Sequence, residues 1–369
     1  MITAKDLLAI EDLILRFYTY EGIVEALDEV NLNIKEGETL GIVGETGCGK
    51  TVTGLSTLVL VPPPGKIEGG RILFDKDGKN IDLLSQDEAF LRGIRGEDIS
   101  MVFQDPRSAL NPVYTVWEQI FEVLLHHRRR EFIEQVLKRP LTGYERKIYE
   151  KMLENPGSFI LKIISKIPII NRYKRKLKDE INNLIVKILK EMQIPDPERV
   201  ADMYPHELSG GMAQRVVIAI ALACNPKLLI ADEPTTNLDV TIQQQILNLI
   251  RELRKKFGST IEYITHDLGV IAEMCDRVAV MYAGNVVEIA DVMELFKNPL
   301  HPYTKALLES IPRPGKEFKS IEGTVPSLIN PPKGCRFHER CPCSMEICTK
   351  EKPMLKEITK EHYVQCYLY

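Results

Sequence analysis

The sequence predicts an α/β fold built around a buried sheet. Three observations predict it: short, nearly continuous apolar runs, amphipathic helical patterns lying between them, and a glycine-rich loop directly after one run. The early runs include residues 13–15, 30–34 and 39–43, and the later ones residues 228–231, 261–265 and 278–282. Between the later runs, residues 241–256 place Ile242, Ile246, Leu249, Ile250 and Leu253 at offsets 0, 4, 7, 8 and 11, one face of a helix. In such a sheet the ligand is expected at the carboxyl ends of the strands.

Length and composition narrow the class. At about 150 residues per domain, 369 residues suggest two or three compact units. A hydrophobic share of 44% supports a sizeable core and excludes wholesale disorder. The net charge of −4 argues against a dedicated nucleic-acid binder. No apolar run approaches the roughly 20 residues that cross a bilayer, and the acidic start MITAKDLLAIED does not read as a signal peptide. The expectation is a cytosolic chain that does not itself span a membrane.

The first chemical motif is the loop Gly44-Glu45-Thr46-Gly47-Cys48-Gly49-Lys50-Thr51, which fits G-x-x-x-x-G-K-[ST] and follows an apolar strand. Its glycines let backbone N–H groups close around a phosphate, and the helix opening here points its positive end at the anion. Lys50 is placed to reach β- and γ-phosphate oxygens, and the Thr51 hydroxyl to coordinate Mg²⁺. An acidic partner is expected at the end of another buried strand. Asp232 ends the run 228–231 and Glu233 follows it, giving a magnesium-holding carboxylate and a general base for an attacking water.

Between these motifs stands Leu208-Ser209-Gly210-Gly211-Met212-Ala213-Gln214-Arg215. Ser209 is a good N-cap for the amphipathic run that follows, and the two glycines allow backbone N–H groups close to a phosphate. The segment resembles the LSGGQ signature of ATP-binding cassette (ABC) ATPases, with Met212 in place of the usual glutamine. In that family Ser209, Gly210, Gly211 and Met212 complete the ATP site of a second ATPase subunit. The resemblance further implies that Gln104 is the Q-loop glutamine at the magnesium, Asp239 the D-loop aspartate (with Asn237 where alanine is more common), and His266 the switch histidine at the γ-phosphate. An aromatic residue stacked on adenine is also implied; Phe17 is chosen, with Tyr18 and Tyr20 as rivals.

Three further segments narrow the resemblance to the ATPases of dipeptide/oligopeptide importers: Gln104 through Pro112, Tyr204-Pro205-His206-Glu207-Leu208, and His301-Pro302-Tyr303-Thr304-Lys305-Ala306-Leu307-Leu308, together with the tail GCRFHERCPCSMEIC. The match covers nearly the whole chain except the stretch around 128–190. It implies an ABC-type nucleotide-binding domain over 1–297, with an antiparallel β subdomain and a helical subdomain at about 105–222, and a small cysteine-rich, metal-binding extension over 298–369. The implied role is an ATP-hydrolysing importer subunit at the cytoplasmic face of the membrane. Its implied partners are a second, non-identical ATPase, two membrane permeases and an external binding protein. Oligosaccharide or nickel uptake, or a non-transport ABC function, are the alternatives.

The tail carries Cys335, Cys341, Cys348 and Cys366 with 5, 6 and 17 residues between successive members. Four thiolates suit either an iron–sulfur cluster or tetrahedral zinc, and neither a zinc-ribbon nor a common ferredoxin spacing is present. Free thiols or disulfides are the remaining alternative. The family resemblance implies a [4Fe–4S] cluster, structural in character because the tail is poor in large apolar residues. Cys343 is a spare thiol or a substitute ligand, and His338 reads as an ordinary surface histidine.

The region 128–190 holds 17 Lys/Arg against 7 Asp/Glu, a local net of +10 that leaves −14 on the rest. Compared with relatives it carries additional residues. The apolar stretch 160–170 precedes the cationic run Arg172-Tyr173-Lys174-Arg175-Lys176. A solvated helical elaboration of the helical subdomain is one reading, and contact with anionic lipid headgroups the other.

Overall fold

The computed structural model describes residues 6–154, 172–236, 238–311 and 321–369. Residues 160–170, the side chains of Arg172 through Lys176, and Asn237 lie outside the described residues. The chain divides into two compact units, one of Met1–Gln104, Lys227–Thr236 and Leu247–Tyr369, the other of Asp105–Pro226 and Asn237–Ile246.

The first unit contains two sheets. Strands β1 (Asp6–Thr19) and β2 (Gly22–Lys35) pair antiparallel. With β4 (Gly65–Lys76) and β5 (Lys79–Asp82) they form a sheet ordered β2-β1-β4-β5, which includes the early runs at 13–15 and 30–34. These strands are longer than their apolar centres because one face alternates into the core while the other stays partly exposed.

The second sheet has eight strands. Its centre is β3 (Thr39–Val43), bonded in parallel to β8 (Thr260–Thr265) on one side and β9 (Arg277–Tyr282) on the other. Outward from β8 lie β7 (Leu228–Asp232) and β6 (Ile99–Val102), both parallel. Every residue of these five strands is buried, which is why they read as nearly continuous apolar runs rather than alternating ones, interrupted in β8 by Glu262. On the far side β10 (Asn285–Asp291) returns antiparallel along β9. The hairpin β11 (Lys356–Thr359) and β12 (His362–Val364) adds to β10.

Residues 298–311 and 321–369 belong to this first unit. Tyr303, Leu308 and Phe337 share one core cluster with Val43, Val278, Val280 and Tyr282 of the sheet. A tail with so few large apolar residues gains its core by packing onto the sheet already there.

The second unit contains helices and, among the described residues, no strand. Thr115 opens the helix Val116–His127 with a capping box closed by Glu118. Arg215, on the helix Gly210–Leu222, donates to the Met192 carbonyl at 2.7 Å and to Gln245 at 3.1 Å. Among the described residues no helix is long and apolar enough to cross a membrane.

Candidate functional site

The parallel strands deliver the candidate residues to one edge of the sheet. β3 ends at Val43 and the phosphate loop begins at Gly44; β7 ends at Asp232 with Glu233 next; His266 follows β8, and Gln104 lies two residues past β6. The register sets Val43 beside Thr265, Asp232 beside Ile264 and Val102 beside Ala231, so four loops leave the sheet at neighbouring points.

The loop conformation depends on its glycines. Gly47 and Gly49 have φ of 81° and 104°, a region that side chains disfavour. A Cβ on Gly44 would stand 2.1 Å from the Met281 carbonyl oxygen, so backbone packing excludes any side chain there. Lys50, at 7% exposure, opens the helix Lys50–Thr57 and donates to the carbonyls of Gly44 at 2.8 Å and Glu45 at 3.1 Å. Its ammonium is thereby held across the loop that the backbone N–H groups line.

Thr51 Oγ1 donates to Asp232 Oδ1 at 3.2 Å. Burial pushes the Asp232 carboxyl up to about 6; the Thr51 hydrogen bond opposes this and the neighbouring Glu233 charge adds to it. A hydroxyl and a buried carboxylate side by side form a hard oxygen pair suited to Mg²⁺, whose charge would displace the proton.

Glu233 is the best-connected polar residue of the edge. Its Oε2 accepts from Gln104 Nε2 at 2.9 Å and Thr236 Oγ1 at 2.8 Å, and its Oε1 lies 2.9 Å from His266 Nδ1. Burial alone would raise its carboxyl, but the hydrogen bonds from His266 and Thr236 outweigh that and hold it below the usual carboxylate range. Its backbone sits at φ 43°, left-handed for a residue with a side chain, and its N–H donates to the Ile264 carbonyl at 2.9 Å. The strain is held by that strand-to-strand bond and aims an ionised carboxylate with three donors around it.

The structure therefore brings Lys50, Thr51, Asp232, Glu233, Gln104 and His266 to one edge. Phe17, on β1, packs on the core cluster beside Gly65, while Tyr18 hydrogen-bonds Glu68 and Tyr20 is 98% exposed. In the second unit, Ser209 caps its helix by accepting from the Met212 N–H at 3.3 Å. A Cβ on Gly211 would come 2.9 Å from Ile242 Cγ2, so that glycine is also required by packing. Asp239 accepts from the N–H groups of Thr241 and Ile242, capping the helix Val240–Phe257.

Two contacts of the loop were not anticipated. Glu45 is gripped by Arg340, and its N–H donates to the Tyr303 hydroxyl at 3.0 Å. Both partners lie inside the segments HPYTK and GCRFHER, where nothing in the sequence marks them as partners of the loop. Thr236, the third donor to Glu233, was likewise missed.

No disulfide joins the cysteines among the described residues, and Cys335, Cys341, Cys343, Cys348 and Cys366 line one cavity. Burial, with the nearby thiols adding, pushes Cys335 up to about 11, and Cys341 and Cys366 are raised for the same reasons. A lone zinc ion needs thiolates about 2.3 Å from a common centre. Among the described residues no three His, Cys, Asp or Glu side chains form a group that could hold a metal ion. The cysteine-rich extension forms a thiol-lined cavity within the first unit. His338 also lines this cavity, with its Nδ1 2.8 Å from the Cys335 carbonyl oxygen.

Comparison with known proteins finds relatives along nearly the whole chain. The ABC transporter family matches residues 27–236, and the oligopeptide/dipeptide transporter C-terminal region matches residues 287–348. The dipeptide transport ATP-binding protein DppD of Bacillus subtilis is 43% identical over 99% of this chain and 95% of its own length. The oligopeptide transport ATP-binding protein OppD of the same organism is 43% identical over 100% of this chain and 90% of its own. Among solved structures, the dimeric ATP-binding cassette MJ0796 bound to ADP and Pi is 28% identical with a TM-score of 0.55, covering 77% of this chain and 98% of that one. The cbiO1 subunit from Clostridium perfringens is 29% identical with a TM-score of 0.55, covering 80% of this chain and 92% of that one.

Proposed function

This chain belongs to the ATP-binding proteins of ABC transporters, and from that premise we propose that it drives uptake of di- and oligopeptides by hydrolysing ATP at the sheet edge around Lys50 and Glu233. The observation that carries the reading is Glu233, ionised and held among Gln104, Thr236 and His266 one residue beyond the Asp232–Thr51 pair.

In this reading residues 44–51 wrap the phosphates with backbone N–H groups, and Lys50 exchanges its carbonyl partners for β- and γ-phosphate oxygens. Mg²⁺, when bound at Thr51 and Asp232 with Gln104 alongside, neutralises charge on the phosphates. Glu233 accepts a proton from water as the water oxygen forms a bond to the γ-phosphorus and the bond to the β–γ bridging oxygen breaks. His266 fixes the Glu233 carboxylate and faces the γ-phosphate. Phe17 serves as the adenine platform.

Ser209, Gly210, Gly211 and Met212 close the ATP site of a second, similar ATPase, and Asp239 lines that junction; closing and reopening this dimer drives two permease subunits supplied by an external binding protein. The chain acts at the cytoplasmic face of the membrane and needs no nucleic acid. The thiol cavity is assigned to a [4Fe–4S] cluster on Cys335, Cys341, Cys348 and Cys366, with zinc as alternative; support comes from the four thiols sharing one cavity. Iron and sulfide content of anaerobically purified protein tests that assignment, and their absence removes it. The transport reading is tested by reconstitution with the permeases: ATP-dependent peptide accumulation is expected, and peptide-independent, uncoupled turnover would reject it.

A further inference from the structure

The grip on Glu45 gives the tail a part in the nucleotide site. Arg340 Nη1 donates to Glu45 Oε2 at 2.7 Å and Nη2 to Oε1 at 3.1 Å, a two-pronged pair. The guanidinium is fixed on every side. Its Nη1 also reaches the Tyr282 hydroxyl at 3.2 Å, its Nε donates to the Glu322 carbonyl at 2.9 Å, and it lies over the rings of Tyr282 and Phe337. The Arg340 side chain is 6% exposed and that of Glu45 26%.

Glu45 is the second residue of the phosphate loop, and its own carbonyl accepts from Lys50. A bare carboxylate at this position would stand beside the seat of a triphosphate and repel it, in a partly buried setting where water screens little. Arg340 is the cation that cancels it, and the tail delivers that cation one residue before Cys341.

We infer that Arg340 is a positioning residue of the ATP site, which neutralises Glu45 and holds the phosphate loop so that nucleotide affinity depends on docking of the cysteine-bearing tail. The inference rests on ATP binding at residues 44–51.

The test is equilibrium ATP titration of the full chain, with melting followed in parallel. Arg340→Gln leaves the Glu45 charge uncompensated and weakens ATP binding roughly tenfold. Adding Glu45→Gln to it removes the repulsion and restores affinity to within about threefold of the parent, because a pair removed together costs far less than one partner left alone. Arg340→Lys keeps the charge but loses the two-pronged geometry and the ring stacking, so a loss smaller than that of Arg340→Gln is expected. A purely structural role predicts the opposite for the double variant, which has lost both ends of the pair. Unchanged affinity in Arg340→Gln, a tenfold loss in the double variant, or a loss in Arg340→Lys of tenfold or more overturns the inference. Should Arg340→Gln not fold, those last two variants carry the comparison by themselves. Failure of the parent chain to bind ATP would instead overturn the underlying function.

Discussion

Gln104 Nε2 stands 2.9 Å from Glu233 Oε2, joining residues 129 positions apart in the chain. The contact joins the loop after β6 to the loop after β7, both within the first unit. Glu233→Gln keeps the shape and the partners but cannot take a proton. ATP binding is expected to persist while turnover falls at least about a hundredfold. Single-turnover hydrolysis beside nucleotide titration checks it, and normal turnover removes Glu233 from its role.

Asp232 shares its proton-binding oxygen environment with Thr51 and is buried. Asp232→Asn removes the negative charge and retains an acceptor for the Thr51 hydroxyl. The Mg²⁺ concentration that supports half-maximal turnover is expected to rise about ten- to a hundredfold. A magnesium titration of the purified variant would read this directly, and an unshifted midpoint would count against Asp232 at the metal.

Glu262, on β8, is fully buried, and neither of its carboxylate oxygens has a hydrogen-bond partner among the described residues. Burial, with the Asp232 charge on the adjacent strand adding, pushes it up to about 8 from the ordinary 4.5. The folded state thus keeps a proton that the unfolded chain has lost, and the resulting contribution to stability drains away as pH rises from 4.5 to about 8. The slope from this group is at most about 1.4 kcal/mol per pH unit. Glu262→Gln should flatten the pH dependence of urea unfolding across that window and be more stable than the parent above it. Parallel curves for the two proteins would contradict the assignment.

Glu288, on β10, is wholly buried and accepts from the N–H groups of Leu300 and His301 at 2.8 and 2.9 Å, and pairs with His362 Nε2 at 2.8 Å. One carboxylate thus joins the main sheet to two separate stretches of the tail. Glu288→Ala strands three buried polar groups and is expected to cost about 3 kcal/mol or more. Limited proteolysis should then cut residues 321–369 early, while a tail as resistant as the parent's would show that other contacts hold it.

Much of the site was readable from the chain because its parts are local. The run Gly44 to Thr51 carries its own backbone requirements, and Asp232, Glu233 and His266 each follow an apolar strand that announces where a sheet ends. Arg340, Tyr303 and Glu288 were not readable in this way. An arginine in GCRFHER or a glutamate in a strand says nothing of its partner until the tail is laid against β9 and β10. The resemblance implied a D-loop role for Asp239; that its carboxylate caps a helix depended on the backbone around it.

The amino-acid order alone determined the phosphate loop, the buried strands and the helix caps, because each depends on neighbours a few residues away: glycine where φ turns positive, a nearly continuous apolar run where both faces are covered, a serine where N–H groups lack acceptors. Tertiary structure decided the strand order β9-β3-β8-β7-β6, the meeting of Glu233 with Gln104 and His266, and the placing of Arg340 on Glu45. Those pairings join residues up to 295 positions apart, and only burial of a shared core offsets the entropy of bringing them together.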